Sequence, residues 1–171
     1  MLAYRVGHAK AAGGFTLTEM VMVTVVVAII AAIALPRMGN DPILVSTQAE
    51  QLAGDIRYVQ TLAMTQGQKY LISFPSNTSY EFRDSSGAVV RHPLDGSLAI
   101  TLGGGVTLAL APLAPSSGNA IGFNGLGVPY SVTAPSTFNG PLTGQAILTL
   151  TKDGASQQQI TVAIETGKVT P

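Results

Sequence analysis

The sequence predicts an α+β fold, in which a long hydrophobic N-terminal helix is followed by an antiparallel two-sheet β domain. Three successive patterns carry this prediction. Residues Phe15–Leu35 form an apolar run that contains a single charge. From there to Gln66, apolar side chains recur every three or four residues, which is typical of an amphipathic helix. After Lys69 the chain changes to short β-prone segments separated by turn dipeptides, as in antiparallel sheets.

The composition limits the class of protein. A chain of 171 residues and 17.6 kDa holds one ordinary domain plus an appendage. Its 11% charged and 46% hydrophobic residues are wrong for a disordered chain. Lys+Arg and Asp+Glu are 9 each, which disfavours a dedicated nucleic-acid domain because such domains carry a basic excess. Cysteine is absent, which excludes disulfide scaffolds, thiolate metal sites and cysteine nucleophiles.

The N-terminal region combines a short basic segment with a membrane-length apolar run. Arg5 and Lys10 are the charges of residues 1–14, and no acid precedes Glu19. By the positive-inside rule this end stays cytoplasmic and the rest of the chain lies outside. The 21 residues of the run span about 31 Å as a helix, close to the thickness of a bilayer's hydrocarbon core. Many are β-branched, but in lipid a helix is favoured because each backbone polar group must be satisfied within the segment.

Three interpretations of this region compete. It is a plain membrane anchor, a secretory signal cleaved at the small residues Ala32-Ile33-Ala34, or a segment retained after cleavage behind Gly14. The first two leave Glu19 unexplained, since a carboxylate in such a run costs about 2.5–3.5 kcal/mol. Cleavage after Gly14 would supply a partner, because it frees an α-amino group on Phe15, four residues from Glu19. That amine can belong to a neighbouring copy or to another subunit.

The start of the apolar run carries a specific motif. Gly14 is followed by Phe15-Thr16-Leu17-Thr18-Glu19, and the run then continues unbroken to Pro36. This arrangement resembles the class III signal of type IV pilins and type II secretion pseudopilins. Thr18 is a small departure, because the residue at that place in the family is usually more apolar.

The resemblance implies processing and assembly. A membrane prepilin peptidase is expected to cut after Gly14 and to methylate the new amine of Phe15, and Glu19 is expected to guide subunit docking. Residues 1–14 would be the leader, and residues 15–35 the transmembrane and assembly helix. The expected partners are other pilin or pseudopilin subunits, the peptidase and the inner membrane, with the N-terminus cytoplasmic and the C-terminal domain periplasmic.

Residues 36–67 are expected to hold a kink and an amphipathic helix. Pro36 ends the apolar run, and with Gly39 and Pro42 it predicts a bend or partial melting of the helix. A helix is then predicted from about Pro42 to Gln66 and should pack on the globular domain. Its stripe consists of Leu44, Gln48, Leu52, Ile56, Val59 and Ala63.

Residues 68–171 are expected to form a periplasmic β domain. Turn dipeptides such as Asn124-Gly125 and Asp153-Gly154 separate its candidate strands. Residues Pro112–Gly118 and Val128–Gly144 are rich in proline, serine and glycine, and both are expected to be loops that make contacts in an assembly. The eight candidate strands are Tyr70–Phe74, Ser79–Arg83, Ala88–His92, Leu98–Leu102, Val106–Ala111, Ala120–Phe123, Gln145–Thr151 and Gln158–Ile164.

The second half also resembles a subfamily. The stretch Gln48–Phe74, the element Phe123–Gly127 and the closing Thr166–Val169 resemble the corresponding parts of GspH/FimT-type minor pseudopilins. The chain lacks the paired cysteines common in major type IV pilins and an obvious acidic calcium loop of the major-pseudopilin kind. Both absences favour a minor subunit, at the filament tip or in priming assembly.

Residues His92, Asp95 and Ser97 invite a hydrolase interpretation, because they are the residue types of a catalytic triad. They lie within six residues of one another around a predicted turn, whereas a triad is usually assembled from separate elements. Turn formation is therefore the favoured explanation. No catalytic residue is expected in the chain.

Other polar and glycine-rich positions are also assigned to turns. Asp84, Asp95 and Asp153 stand beside serine or glycine, where carboxylates cap backbone groups. Gly103-Gly104-Gly105 is not followed by the lysine of a phosphate-binding loop. No spacing matches a calcium loop or a two-histidine metal motif, so neither a metal nor a cofactor is expected.

DNA binding is the main alternative among the functions, because some FimT-like minor pilins act in DNA uptake. Removal of residues 1–14 lowers Lys+Arg from 9 to 7 while Asp+Glu stays at 9, and the tail Thr166–Pro171 holds a single lysine. Few cations give weak, salt-sensitive binding, so nucleic acid is not expected as a partner. A membrane-anchored periplasmic binding domain is the other alternative. The sequence does not choose between a type II secretion system and a type IV pilus.

Overall fold

The computed structural model describes residues 14–34, 42–152, 154 and 156–171. The chain divides into two compact units, Met1–Gly39 and Asn40–Pro171. In the first unit, helix α1 spans Leu17–Ala34, so the β-branched run is helical as predicted. Among the described residues, no helix has both the length and the apolar character that crossing a membrane requires.

Helix α2 opens the second unit and spans Pro42–Gln66, the bounds that the periodicity predicts. Proline suits the first helical position, because a backbone N–H there would have no acceptor within the helix. At the other end Gly67 adopts a φ of 63°, and the N–H of Gln68 donates to the carbonyl of Ala63 at 3.2 Å. This is the Schellman arrangement that ends many helices. The buried residues of α2 are Val45, Ala49, Leu52, Ala53, Asp55, Ile56, Val59 and Ala63.

Eleven strands follow in the described part of the second unit, and all of their pairings are antiparallel. They form two sheets, which confirms the predicted fold class. In chain order they are β1 (Tyr70–Ser76), β2 (Ser79–Asp84), β3 (Val89–Val90), β4 (Ile100–Thr101), β5 (Val106–Leu110), β6 (Ala120–Phe123), β7 (Pro129–Thr133), β8 (Thr137–Pro141), β9 (Ala146–Lys152), β10 (Ser156–Val162) and β11 (Val169–Thr170).

The larger sheet has seven strands in the order β3-β2-β1-β6-β7-β8, with β4 paired to β2. The smaller sheet has four, in the order β11-β10-β9-β5. Helix α2 packs against strands of both sheets, as its stripe predicts. The largest fully buried side chains of the core come from α2 and both sheets, and include Leu52, Ile56, Tyr80, Phe82, Phe123, Leu148 and Ile160.

The prediction of a loop over Val128–Gly144 is wrong, because β7 and β8 form a hairpin there. Two features of the sequence hide it. Pro129 and Pro141 stand at strand ends, where proline is tolerated. Ser131 is fully buried, at a strand position where the alternation of apolar and polar residues predicts an apolar side chain. Its hydroxyl donates to the carbonyl of Ser116 at 2.7 Å. A polar side chain with a satisfied hydroxyl can therefore occupy the interior.

Candidate functional site

The N-terminus of α1 is set by local hydrogen bonds. The hydroxyl of Thr16 accepts the N–H of Glu19 at 3.3 Å, and the carbonyl of Thr16 accepts the N–H groups of Glu19 and Met20 at 3.1 and 3.2 Å. Thr16 is thus the N-cap residue, and Glu19 stands at the third helical position, the spacing of a capping box. The motif that carries the family resemblance also specifies where the helix begins.

Glu19 lies in the first turn of α1 and is exposed. Gly14 is also exposed, and so is Phe15, with 78% of its surface accessible. A carboxylate in the first turn is favoured by the helix dipole. Among the described residues, no atom lies within 4 Å of the place where a Cβ on Gly14 would stand. Packing against the described residues therefore does not explain the glycine.

The residues of the predicted kink are only partly described. Pro36 and Gly39 lie outside the described residues. Pro42 is the first residue of α2, so it starts a helix instead of interrupting one.

The structure does not arrange His92, Asp95 and Ser97 as a catalytic triad. The hydroxyl and the N–H of Ser97 both donate to Oδ1 of Asp95, at 2.8 and 3.0 Å. The ring of His92 contacts the same oxygen through Nδ1 at 3.2 Å. Serine thus faces the aspartate, whereas a nucleophile must face the histidine base. The bonds from Ser97 lower the pKa of Asp95, which is the turn chemistry that the sequence predicts.

The other predicted turns contain Asp84, Asp153 and the triglycine segment Gly103–Gly105. Asp84 accepts the N–H and hydroxyl of Ser86 at 2.8 and 2.6 Å, and these bonds lower the pKa of its carboxyl group. Asp153 lies outside the described residues. Gly104 has a φ of 64° and packs against Leu44 of α2, so the triglycine segment is a turn. The described side chains include no group of three or more placed to hold a metal ion.

A buried polar cluster joins α2 to the larger sheet. Asp55 of α2 is 7% exposed, and Tyr80 of β2 donates its hydroxyl proton to Oδ2 of Asp55 at 2.6 Å. Nε2 of His92 lies 3.1 Å from the other oxygen, Oδ1. Burial raises the pKa of Tyr80 well above its ordinary value, and the bond to Asp55 and its charge act in the same direction. Tyr80 is therefore a neutral donor.

Sequence reasoning misses Asp55, although a signal exists. Asp55 stands three residues after Leu52 and four before Val59, within the apolar stripe of α2. A carboxylate on such a face is almost never buried without a partner. That position predicts a buried hydrogen-bonding partner, which the structure supplies from β2 and from the segment after β3.

The two C-terminal motifs of the subfamily resemblance meet at α2. Nε2 of Gln60 donates to the carbonyls of Gly127 and Thr166, both at 2.9 Å. Gly167 has a φ of 63°, and a Cβ there would lie 2.7 Å from the carbonyl oxygen of Gly127 and 3.1 Å from the ring of Phe123. The hydrogen bonds of Gln60 and the close approach at Gly167 therefore hold the β6–β7 turn against the C-terminal turn.

Solved structures share this architecture. The type IV minor pilin FimU of Pseudomonas aeruginosa is similar over 74% of this chain and 86% of its own, with a TM-score of 0.50 and 12% identity. The minor pseudopilin EpsH, from the type 2 secretion system of Vibrio cholerae, is similar over 73% of this chain and 93% of its own, with a TM-score of 0.52 and 14% identity. The chain has a pilin-like fold.

At these identities the likeness concerns the fold alone. No protein-family model matches the sequence, and no curated protein is similar to it. The pilin-like fold confirms the family resemblance at the level of architecture.

Proposed function

We propose that the protein is a minor pilin or minor pseudopilin, a non-enzymatic subunit of a type IV pilus or a type II secretion pseudopilus. One observation carries the proposal. Glu19 is a carboxylate in the first turn of an apolar helix, four residues after the Phe15 that follows Gly14, in a chain with a pilin-like fold. A simple membrane anchor can use that carboxylate only at the start of its helix, whereas assembly gives it a partner in a neighbouring subunit.

Cleavage by a prepilin peptidase after Gly14 is the first step of the proposal. Gly14 is exposed, and a side chain there would meet no described atom. A glycine that packing does not require is consistent with a glycine that an enzyme must recognise. Cleavage makes Phe15 the N-terminal residue, whose amine is then methylated.

Pairing between subunits is the second step. Glu19 of one subunit pairs with the Phe15 amine of a neighbour, which offsets the cost of placing a carboxylate among apolar helices. Small residues at Thr24, Ala28 and Ala31 allow those helices to approach closely. The hydroxyl of Thr24 donates to the carbonyls of Met20 and Val21 at 2.9 Å, so it enters an apolar interface already satisfied.

Storage in the inner membrane precedes assembly. This part of the proposal rests on the sequence run Phe15–Leu35 and on the basic residues of the leader. The leader lies in the cytoplasm and the β domain in the periplasm. Assembly transfers the helix from lipid to the filament core, with this subunit at the tip or in the priming complex.

The mass of the mature chain tests the proposal. Expression in a host with a prepilin peptidase should yield a chain that begins at Phe15 and carries one added methyl group. The Gly14→Val variant should keep residues 1–14, and so should the wild-type chain in a host without the peptidase. A mature chain that starts near Leu35, or an intact leader in every host, would contradict the proposal. Scoring secretion, twitching and transformation after gene deletion then identifies the machine.

A further inference from the structure

We propose that the protonation state of His92 controls how firmly residues 91–99, the segment between β3 and β4, are held. When the ring is charged, Nδ1–H donates to Asp95; when the ring is neutral, Nδ1 instead accepts the N–H of Leu94. Asp55 holds the opposite side of the ring in both states. The inference rests on this cluster and is independent of the proposed filament role.

Both ring nitrogens of His92 face carboxylate oxygens. Nε2 lies 3.1 Å from Oδ1 of Asp55, and Nδ1 lies 3.2 Å from Oδ1 of Asp95. A neutral imidazole has one N–H, so one of its nitrogens would direct a lone pair at a carboxylate oxygen. An imidazolium donates from both nitrogens. A charged ring can therefore donate to both carboxylates, whereas a neutral ring protonated on Nε2 can accept the N–H of Leu94 at Nδ1.

The surroundings assign Nε2 as a permanent donor. The side chain of His92 is 3% exposed, and its ring packs on Phe82 of β2 with centroids 5.4 Å apart. Asp55, from α2, already accepts a hydrogen bond from the neutral hydroxyl of Tyr80 and needs a second donor for its other oxygen. Nε2–H fills that need whether or not Nδ1 carries a proton.

The surroundings of Nδ1 offer two alternatives. The carboxylate of Asp95 is 3.2 Å away, and the backbone N–H of Leu94 points at the same nitrogen from 3.4 Å. The carboxylate of Asp95 can only accept a hydrogen bond and the N–H of Leu94 can only donate one, so the protonation of Nδ1 decides which of them it binds. The nearby cation, Arg91, is turned away to the carbonyl of Gly96 at 2.9 Å.

Release of Asp95 changes how the segment is held. The charged ring adds an ion pair to the turn that Ser97 makes with Asp95. Loss of the Nδ1 proton removes that ion pair, so the segment should become more mobile when the ring is neutral. Leu94 and Leu98 lie on this segment and are 85% and 51% exposed. The mobility of these two exposed side chains should therefore change with the protonation of His92.

Nitrogen NMR of the full-length chain in detergent micelles tests the inference. The sequence has two histidines, so His8→Gln with ¹⁵N-histidine labelling leaves His92 as the one reporter. At low pH both ring nitrogens should be protonated. As the pH rises Nδ1 should lose its proton while Nε2 keeps its own, and the amide signals of Leu94 and Ser97 should move with the same midpoint.

A matched pair of aspartates supplies the control. In the His8→Gln background, Asp95→Asn should move the midpoint of the ring titration to lower pH, because an exposed ion pair is lost. Asp84→Asn removes a carboxylate from a similar serine-capped turn without a described histidine contact, and it should leave the midpoint unchanged. A neutral ring throughout, a neutral form protonated on Nδ1, or equal effects of the two variants would overturn the inference.

Discussion

The hydroxyl of Tyr80 lies 2.6 Å from Oδ2 of Asp55 and joins strand β2 to helix α2 inside the core. Both residues are buried, at 1% and 7% exposure. A buried carboxylate is costly unless donors replace its water, and Tyr80 is one of two that do. This bond fixes one face of α2 on the larger sheet and makes the helix sensitive to a single hydroxyl group.

Removal of that hydroxyl should destabilise the fold. Tyr80→Phe leaves Oδ2 of Asp55 buried without its donor, which should lower the free energy of unfolding by about 1–3 kcal/mol. Denaturant unfolding of the full-length chain in detergent measures the change. Tyr70→Phe is the control, because Tyr70 donates to the uncharged amide of Gln66 at a partly exposed site and should cost less. Equal losses in the two variants would show that the charge of Asp55 is unimportant.

The same hydroxyl should limit stability at alkaline pH. Its pKa is raised in the folded chain, mainly by burial, so above about pH 10 the unfolded chain releases a proton that the folded chain retains. The contribution of Tyr80 is therefore complete below about pH 10 and is lost as the pH rises further. Unfolding free energies measured from pH 8 to 12 should fall less steeply in Tyr80→Phe than in wild type. Parallel curves would contradict this account.

Part of the fold follows from local sequence. Pro42 and Gly67 have strong preferences at helix ends, so the bounds of α2 are predictable. Predicted strands at β3 and β4 exist but are only two residues long, because the segment between them is held by the buried His92 and not by sheet pairing. Strand propensity alone does not show that a buried side chain competes with sheet pairing in this segment.

The tertiary parts of the site are less predictable. Gln60 reaches two carbonyls that are 67 and 106 residues away, and no local pattern marks it as different from other polar residues on the helix. Asp55 is different, since its place on the apolar stripe is a readable anomaly. For Gly14, Phe15 and Glu19, sequence provides the main evidence, because their proposed roles depend on a peptidase and on neighbouring subunits.

Gly167 should tolerate no side chain. Gly167→Ala places a Cβ 2.7 Å from the carbonyl oxygen of Gly127, at a φ of 63° that disfavours alanine. It should therefore lower the free energy of unfolding by more than the ~1–3 kcal/mol that backbone strain alone costs. Gly105→Ala is the control. Gly105 has a φ of 79°, but no described atom lies within 4 Å of its Cβ position, so that variant should show the cost of backbone strain alone. If both variants lose the same stability, close packing at Gly167 is not the cause.

Glu19 should be required for assembly and dispensable for processing. Glu19→Ala removes the proposed partner of the Phe15 amine, so the chain should be cleaved and methylated normally while its recovery in sheared filaments or pseudopili falls about tenfold or more. Glu50→Ala is the matched control, because Glu50 is an exposed carboxylate on α2 and should assemble like wild type. Quantitative immunoblots of the membrane and filament fractions, with intact mass of the membrane form, measure both steps. Normal incorporation of Glu19→Ala would show that assembly does not need this carboxylate. Absence of both wild type and variant from the filament fraction would instead favour a membrane-anchored binding domain, since an anchor needs apolar length and not a carboxylate.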